Sequence, residues 1–253
     1  MSATPRTPST SATPARLPVA ALPWVALVSR TLLFAAAQGV GALLLVRSAD
    51  GRAWSESVRY WMFYAAGANL VTIALLVRFY RAEGQSYIDA IRFRSGARWR
   101  DFGTSLIALL IAVPIAMAPM RWLGSALFGT YESASQMMFL PLPVPLVVAG
   151  LAFPITIAFA ELPLYFGYVM PRLEAQLGRP WLAWALASTF LALQHATLPL
   201  IFDWRFTTWR ALMFLPFALF IGLLIKWRPR LLPYLMVGHF LIDVATVAVY
   251  LAV

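Results

Sequence analysis

The stretch LLPYLMVGHFLIDVATVAVYLA, residues 231–252, decides the fold. It is long and apolar enough to cross the ~30 Å hydrocarbon core of a bilayer as a helix. Inside it stand His239 and Asp243. Residues spaced i and i+4 share a helical face and can touch. Ionisable groups are costly in hydrocarbon, so a pair of them within one span marks a functional site.

Working outward, comparable apolar runs occur at roughly 24–46, 58–78, 103–120, 145–169, 181–201 and 211–226. Together they predict an all-α, polytopic transmembrane helix bundle with seven spans. The segment 121–143 leaves an eighth span open: Arg121 and Glu132 argue for an interfacial or re-entrant piece, while Leu127, Phe128 and Met137 to Leu140 suit the bilayer. Residues 78–101 are amphipathic and basic, and suit a helix or loop lying on a membrane surface. Residues 1–22, rich in Ser, Thr, Pro and Ala, read as a disordered cytoplasmic tail. Residues 23–253 read as a single transmembrane domain.

Composition agrees. The chain is 61% hydrophobic and 12% charged, with a mean hydropathy of +0.75, more apolar than the surface of a water-soluble domain tolerates. The absence of cysteine excludes disulfides, a thiol nucleophile and thiolate metal sites. The net charge of +10 sits in short segments between apolar runs and not in one patch, which fits membrane topology and anionic lipid and argues against nucleic acid. Most arginines flanking the spans, among them Arg78, Arg81, Arg92, Arg94, Arg98 and Arg100, fall on the side of the amino terminus. The positive-inside rule therefore puts that terminus in the cytoplasm.

Four ionisable residues stand inside apolar runs with no evident basic neighbour: Glu161, His195, His239 and Asp243. With the seven-span topology and a rise of about 1.5 Å per residue, they lie roughly 12 to 21 Å below the cytoplasmic face, near mid-bilayer. Taken singly, each reads equally well as a structural polar group satisfied by a neighbouring helix. Their common depth favours one polar cavity closed by three helices. Arg30 is expected to snorkel to the interface, and Gln38 and Asn69 to hydrogen-bond between helices. Asp203 beside Arg205 reads as a surface ion pair.

These residues fall into a pattern. Glu161-Leu162-Pro163-Leu164-Tyr165-Phe166-Gly167-Tyr168, Leu191-Ala192-Leu193-Gln194-His195 and His239-Phe240-Leu241-Ile242-Asp243 resemble, in order and spacing, the three motifs of the CPBP intramembrane endopeptidases, a family joining CAAX prenyl proteases and bacteriocin-processing enzymes. The resemblance covers about residues 145–250. The first motif departs: Leu162 stands where the family has a second Glu, and Phe166 where it has Arg. Joint loss of a matched ion pair can be nearly neutral, whereas loss of one partner strands a buried charge.

The resemblance implies a glutamic endopeptidase in a bacterial plasma membrane that hydrolyses a membrane-associated, prenylated or lipidated protein or peptide without a cofactor. It implies that Glu161 acts as general base, that His195 helps position the water, and that His239 and Asp243 hold the oxyanion. A carboxylate in an apolar surround suits proton exchange, and an N–H donor suits an oxyanion hole.

Other chemistries fit less well. Ser188 lies on the face of His195 but lacks a Gly-x-Ser-x-Gly setting, so it reads as packing or an orienting hydrogen bond. A zinc hydrolase has suitable ligand types but no His-Glu-x-x-His. A non-catalytic scaffold, a bacteriocin-immunity protein and a proton-coupled carrier are the remaining alternatives, the last hinted at only by possible helix breaks at Pro154 and Pro163.

Overall fold

The computed structural model describes residues 18–94 and 96–251. Most of the tail expected over 1–22, with Arg6 and Arg16, lies outside the described residues; Val19–Ala21 form a 3-10 turn. Among the described residues the regular elements are all helices. Helices satisfy their own backbone hydrogen bonds, which hydrocarbon requires.

Six of these helices are long and apolar enough to cross a membrane: α1 (Val19–Leu45), α2 (Ala53–Ala82), α3 (Arg98–Phe128), α4 (Val144–Leu177), α6 (Trp204–Trp227) and α7 (Pro229–Leu251). Between α4 and α6 runs α5 (Pro180–Leu193), of 14 residues, about 21 Å long and short of a full crossing. A 3-10 turn, Gln194–Thr197, continues it. The chain then reaches Leu200, whose carbonyl accepts bonds from Gln38 Nε2 at 3.0 Å and Trp54 Nε1 at 3.1 Å, and whose N–H donates to Gln38 Oε1 at 2.7 Å. The run expected as a span over 181–201 is therefore a short helix plus a polar-anchored turn.

The ambiguous segment 121–143 divides. Its first part ends α3 at Phe128, where Gly129 adopts φ 84° and donates its N–H to the Ser125 carbonyl. The next helix, Tyr131–Gln136, has six residues and folds back on α3. It is too short to cross a bilayer. Over 78–101 the chain finishes α2, makes a five-residue helix, Tyr87–Ile91, and opens α3 at Arg98.

Two apolar clusters fill the bundle. One gathers Leu27, Leu76, Leu164, Leu173, Ala218 and Leu235; the other gathers Phe34, Ala65, Ile157, Phe206, Trp209 and Val247. On helix after helix the switch between them falls at a buried polar residue: Arg30 on α1, Asn69 on α2, Glu161 on α4 and His239 on α7. Gln194, in the turn after α5, joins the same plane. The fold is thus two apolar layers with a polar layer between.

Proline sets the path of α4. Pro163 opens a π-helical stretch, Pro163–Val169; lacking an N–H, it leaves the Phe159 carbonyl without its usual partner, and Tyr87 donates its hydroxyl there. Pro171 does the same to Gly167, whose carbonyl accepts from the Tyr80 hydroxyl at 2.9 Å. Glu161 lies just before this widened segment.

The bundle end carrying the start of α1 is tied by polar contacts: Trp24 to Gln176, Lys226 to Glu174, and Glu83 to Arg172. Glu83 accepts from Arg172 Nη2 at 2.6 Å and from Tyr168 at 2.7 Å. Burial opposes ionisation of Glu83, yet these hydrogen bonds outweigh it and hold the carboxyl below its ordinary value of 4.5. A lowered folded-state value stabilises the fold above the unfolded value and ceases to do so as pH falls through the lowered one. Glu83→Gln should therefore reduce stability at neutral pH by about 1–3 kcal/mol. In thermal melts from pH 8 to pH 3, the gap between wild type and variant should close below about 4.5.

Candidate functional site

Glu161, His195, His239 and Asp243 all line one cavity of about 440 Å³. Most of its wall is apolar, including Met117, Met120, Met213 and Phe214. One of the four, His239, approaches two of the others. His239 Nε2 lies 3.0 Å from Asp243 Oδ2 and 3.6 Å from Glu161 Oε1, so one ring nitrogen faces both carboxylates. His239 Nδ1 is buried without a hydrogen-bond partner.

His195 faces the same space but, among the described residues, makes no ion pair or hydrogen bond with the other three. Its Nδ1 lies 3.0 Å from the Leu191 carbonyl. A carbonyl only accepts, so Nδ1 carries a proton, and in the neutral ring Nε2 keeps a lone pair. The ring rests on Phe214, with centroids 4.2 Å apart.

The expectation that these groups lack a basic partner is corrected. Arg30, expected to snorkel, is fully buried: its Nη2 lies 3.5 Å from Glu161 Oε2, its Nε donates to Gln194 Oε1 at 2.6 Å and its Nη1 to Asn69 Oδ1 at 2.8 Å. Snorkelling needs a nearby interface, whereas Arg30 lies mid-helix with an anion and two amide oxygens beside it. Its guanidinium also packs over the Phe34 ring.

Gln194 completes the arrangement. Its Oε1 accepts from Arg30 and from Tyr165 at 3.3 Å, and its Nε2 donates to Glu161 Oε2 at 2.5 Å. Asn69 in turn donates to Thr156 Oγ1 at 3.1 Å. Glu161 is therefore held on one oxygen, and its other oxygen faces His239. Leu162 and Phe166 are buried in the apolar cluster. The cation opposite Glu161 comes from α1.

Arg210, which falls just before the apolar run at 211–226, is a further site residue that the sequence does not single out. It is buried, donating from Nη2 to the Leu198 carbonyl at 2.7 Å and from Nε to the His195 carbonyl at 3.3 Å. It thus caps the carbonyl-rich end of the α5 turn, where cations are favoured, and it lines the cavity. Nothing in its local sequence distinguishes it from an interfacial arginine. Asp203 behaves as expected: it pairs with Arg205 at 3.2 Å and caps the start of α6, and the Arg205 side chain leads the contacts that hold its carboxyl below the usual value. Ser188 is buried against Gly222 with no hydrogen bond, in keeping with packing. Among the described residues no three His, Cys, Asp or Glu side chains are grouped to hold a metal ion.

Comparison of the chain with known protein families, curated proteins and solved structures finds no match.

Replacing Gln194 by Met should strand Arg30 Nε and the Glu161 carboxylate without their neutral partner. Each unsatisfied buried polar group costs about 1–3 kcal/mol, so thermal unfolding in detergent should show a loss of about 3 kcal/mol. An unchanged melting temperature would mean that Gln194 does not hold the pair.

Proposed function

We propose that this chain is an intramembrane glutamic endopeptidase of the CPBP type, hydrolysing a peptide bond of a membrane-associated protein or peptide. The observation that carries this reading is the meeting of Glu161, His195, His239 and Asp243 at one cavity inside the bundle.

In the proposed reaction Glu161 takes a proton from water as the water oxygen attacks the scissile carbonyl carbon, then returns that proton to the leaving amine as the C–N bond breaks. The Nε2 lone pair of His195 orients the same water. The N–H groups of His239 and Arg210 on the cavity wall can receive the charge that develops on the carbonyl oxygen, with Asp243 orienting His239. Access is through lipid: α3 supplies Ala112, Val113, Ala116 and Met117 to the wall and is the least buried of the six crossing helices, at 17%. Its internal Pro114 and Pro119 remove backbone bonds where it would need to bend.

The anchoring of Leu200 beside Gln38 and Trp54 supports counting 181–201 as a seventh, incomplete pass. The amino terminus would then be cytoplasmic, in a bacterial plasma membrane, on the basic side of the bundle.

A second reading is a non-catalytic membrane scaffold. It is favoured by the engagement of Glu161 Oε2 by both Gln194 and Arg30, a pattern that also suits a purely structural ion pair.

The test is to reconstitute wild type, Glu161→Gln and His195→Ala into liposomes with a detergent-extracted membrane proteome, and to read new peptide termini by mass spectrometry. The expected result is a set of termini formed by wild type and reduced at least about 100-fold by either variant. Identical termini for all three contradict the peptidase reading; proton flux that Glu161→Gln abolishes, without new termini, points to a carrier.

A further inference from the structure

The bundle end that carries the start of α1 holds a second feature, whose lining residues are not those of the central cavity. A cleft of about 630 Å³ is lined by Arg92, Arg94, Arg172, Lys226 and Arg230. Three of these cations have acidic partners: Arg92 pairs with Asp89, Lys226 with Glu174 and Arg172 with Glu83. Arg94 and Arg230 have none among the described residues. The floor of the cleft is apolar, made by Phe166, Leu232 and Pro233.

Beside it lies an apolar hollow of about 370 Å³ that shares Pro233 and is walled by Phe159, Met236 and Phe240. The segment from Ile91 to Arg94 separates the two. Arg92 is extended, with φ −74° and ψ 148°, and successive side chains of an extended segment point to opposite sides. Arg92 and Arg94 accordingly line the cationic cleft, while Ile91 and Phe93 line the apolar hollow. Phe93 is fixed edge-on against Tyr234 at 4.8 Å. Ile155 and Phe159 at the hollow's rim remain about half exposed, at 53% and 45%, on a surface that faces hydrocarbon.

We propose that this paired hollow is a binding site for a phospholipid with an anionic headgroup. Its phosphate sits against Arg94 and Arg230, and one acyl chain runs along Phe93, Phe159 and Phe240. Guanidinium groups match phosphate oxygens in geometry as well as charge, and basic pockets between transmembrane helices are suited to lipid headgroups. The apolar hollow gives the acyl chain a surface that a free phosphate cannot use.

The test is native mass spectrometry of the delipidated full chain, titrated with phosphatidylglycerol, phosphatidylcholine or glycerol phosphate. Phosphatidylglycerol should bind at least tenfold more tightly than either competitor. Arg94→Gln together with Arg230→Gln should abolish the preference for the anionic lipid, and each single variant should weaken it about threefold. Phe93→Ser should weaken both lipids and leave glycerol phosphate unchanged. Equal binding of the two lipids, binding of glycerol phosphate as tight as that of phosphatidylglycerol, or an unaltered double variant would overturn the proposal. None of these residues lines the central cavity, so the outcome is independent of the peptidase reading.

Discussion

The contact between Arg30 and Glu161 is the constraint around which the bundle is arranged. A carboxylate 2% exposed in the middle of an apolar bundle is untenable without a counter-charge and aligned donors. The chain meets this need from three separate helices and a turn. Arg30 comes from α1, Asn69 from α2, Glu161 from α4, and Gln194 from the turn after α5. Bringing them to one depth fixes the vertical register of those elements, because sliding any of them by a turn would remove a partner from a buried charge.

That register has consequences on both sides. Toward α7, it leaves Glu161 Oε1 facing His239, which lies against Asp243 one turn further along its helix. Toward α6, the turn that positions Gln194 also positions His195, and Arg210 secures the turn by binding the His195 and Leu198 carbonyls. Buried Arg30 thus faces buried Glu161 while buried Arg210 is met by backbone carbonyls, and the polar layer is contained above and below by apolar side chains. A cavity with polar groups on one wall and methionines and aromatics on the others follows from that layering.

How much of this was legible in the sequence depended on the signal each residue carried. His239 and Asp243 share a face at helical spacing, so their contact could be read directly. Glu161 and His195 stood out because charged or titratable groups are rare in apolar runs, and a shared depth anticipated the shared cavity. Arg30 was misread because the apolar run read from the sequence starts at about residue 24, which puts a long cationic side chain within reach of an interface, whereas the helix starts at Val19 and only tertiary packing shows that Glu161 lies opposite. Gln194 and Arg210 were invisible for the same reason: an amide next to a histidine, and an arginine in a Trp-flanked helix, carry no periodic signature. The run at 181–201 has span-like hydropathy, but hydropathy does not register the departure from α-helix that Gln194 to Leu200 impose. At α4, in contrast, two prolines stood out as possible breaks: Pro163 does open an irregular stretch, while Pro154 sits inside regular helix, and the tyrosines that satisfy the freed carbonyls come from residues 80 and 87, distant in sequence.

The most direct measurement is a double-mutant cycle on Arg30 and Glu161, each changed to Met, singly and together, with unfolding free energies determined in detergent. Removing one partner of a buried pair costs about 3–5 kcal/mol, while replacing both by apolar groups can be close to neutral. The expected result is two strongly destabilised single variants and a double variant well above their summed loss. Additive losses, or single variants as stable as wild type, would show that Arg30 and Glu161 do not meet in the core and would remove the basis for the polar layer.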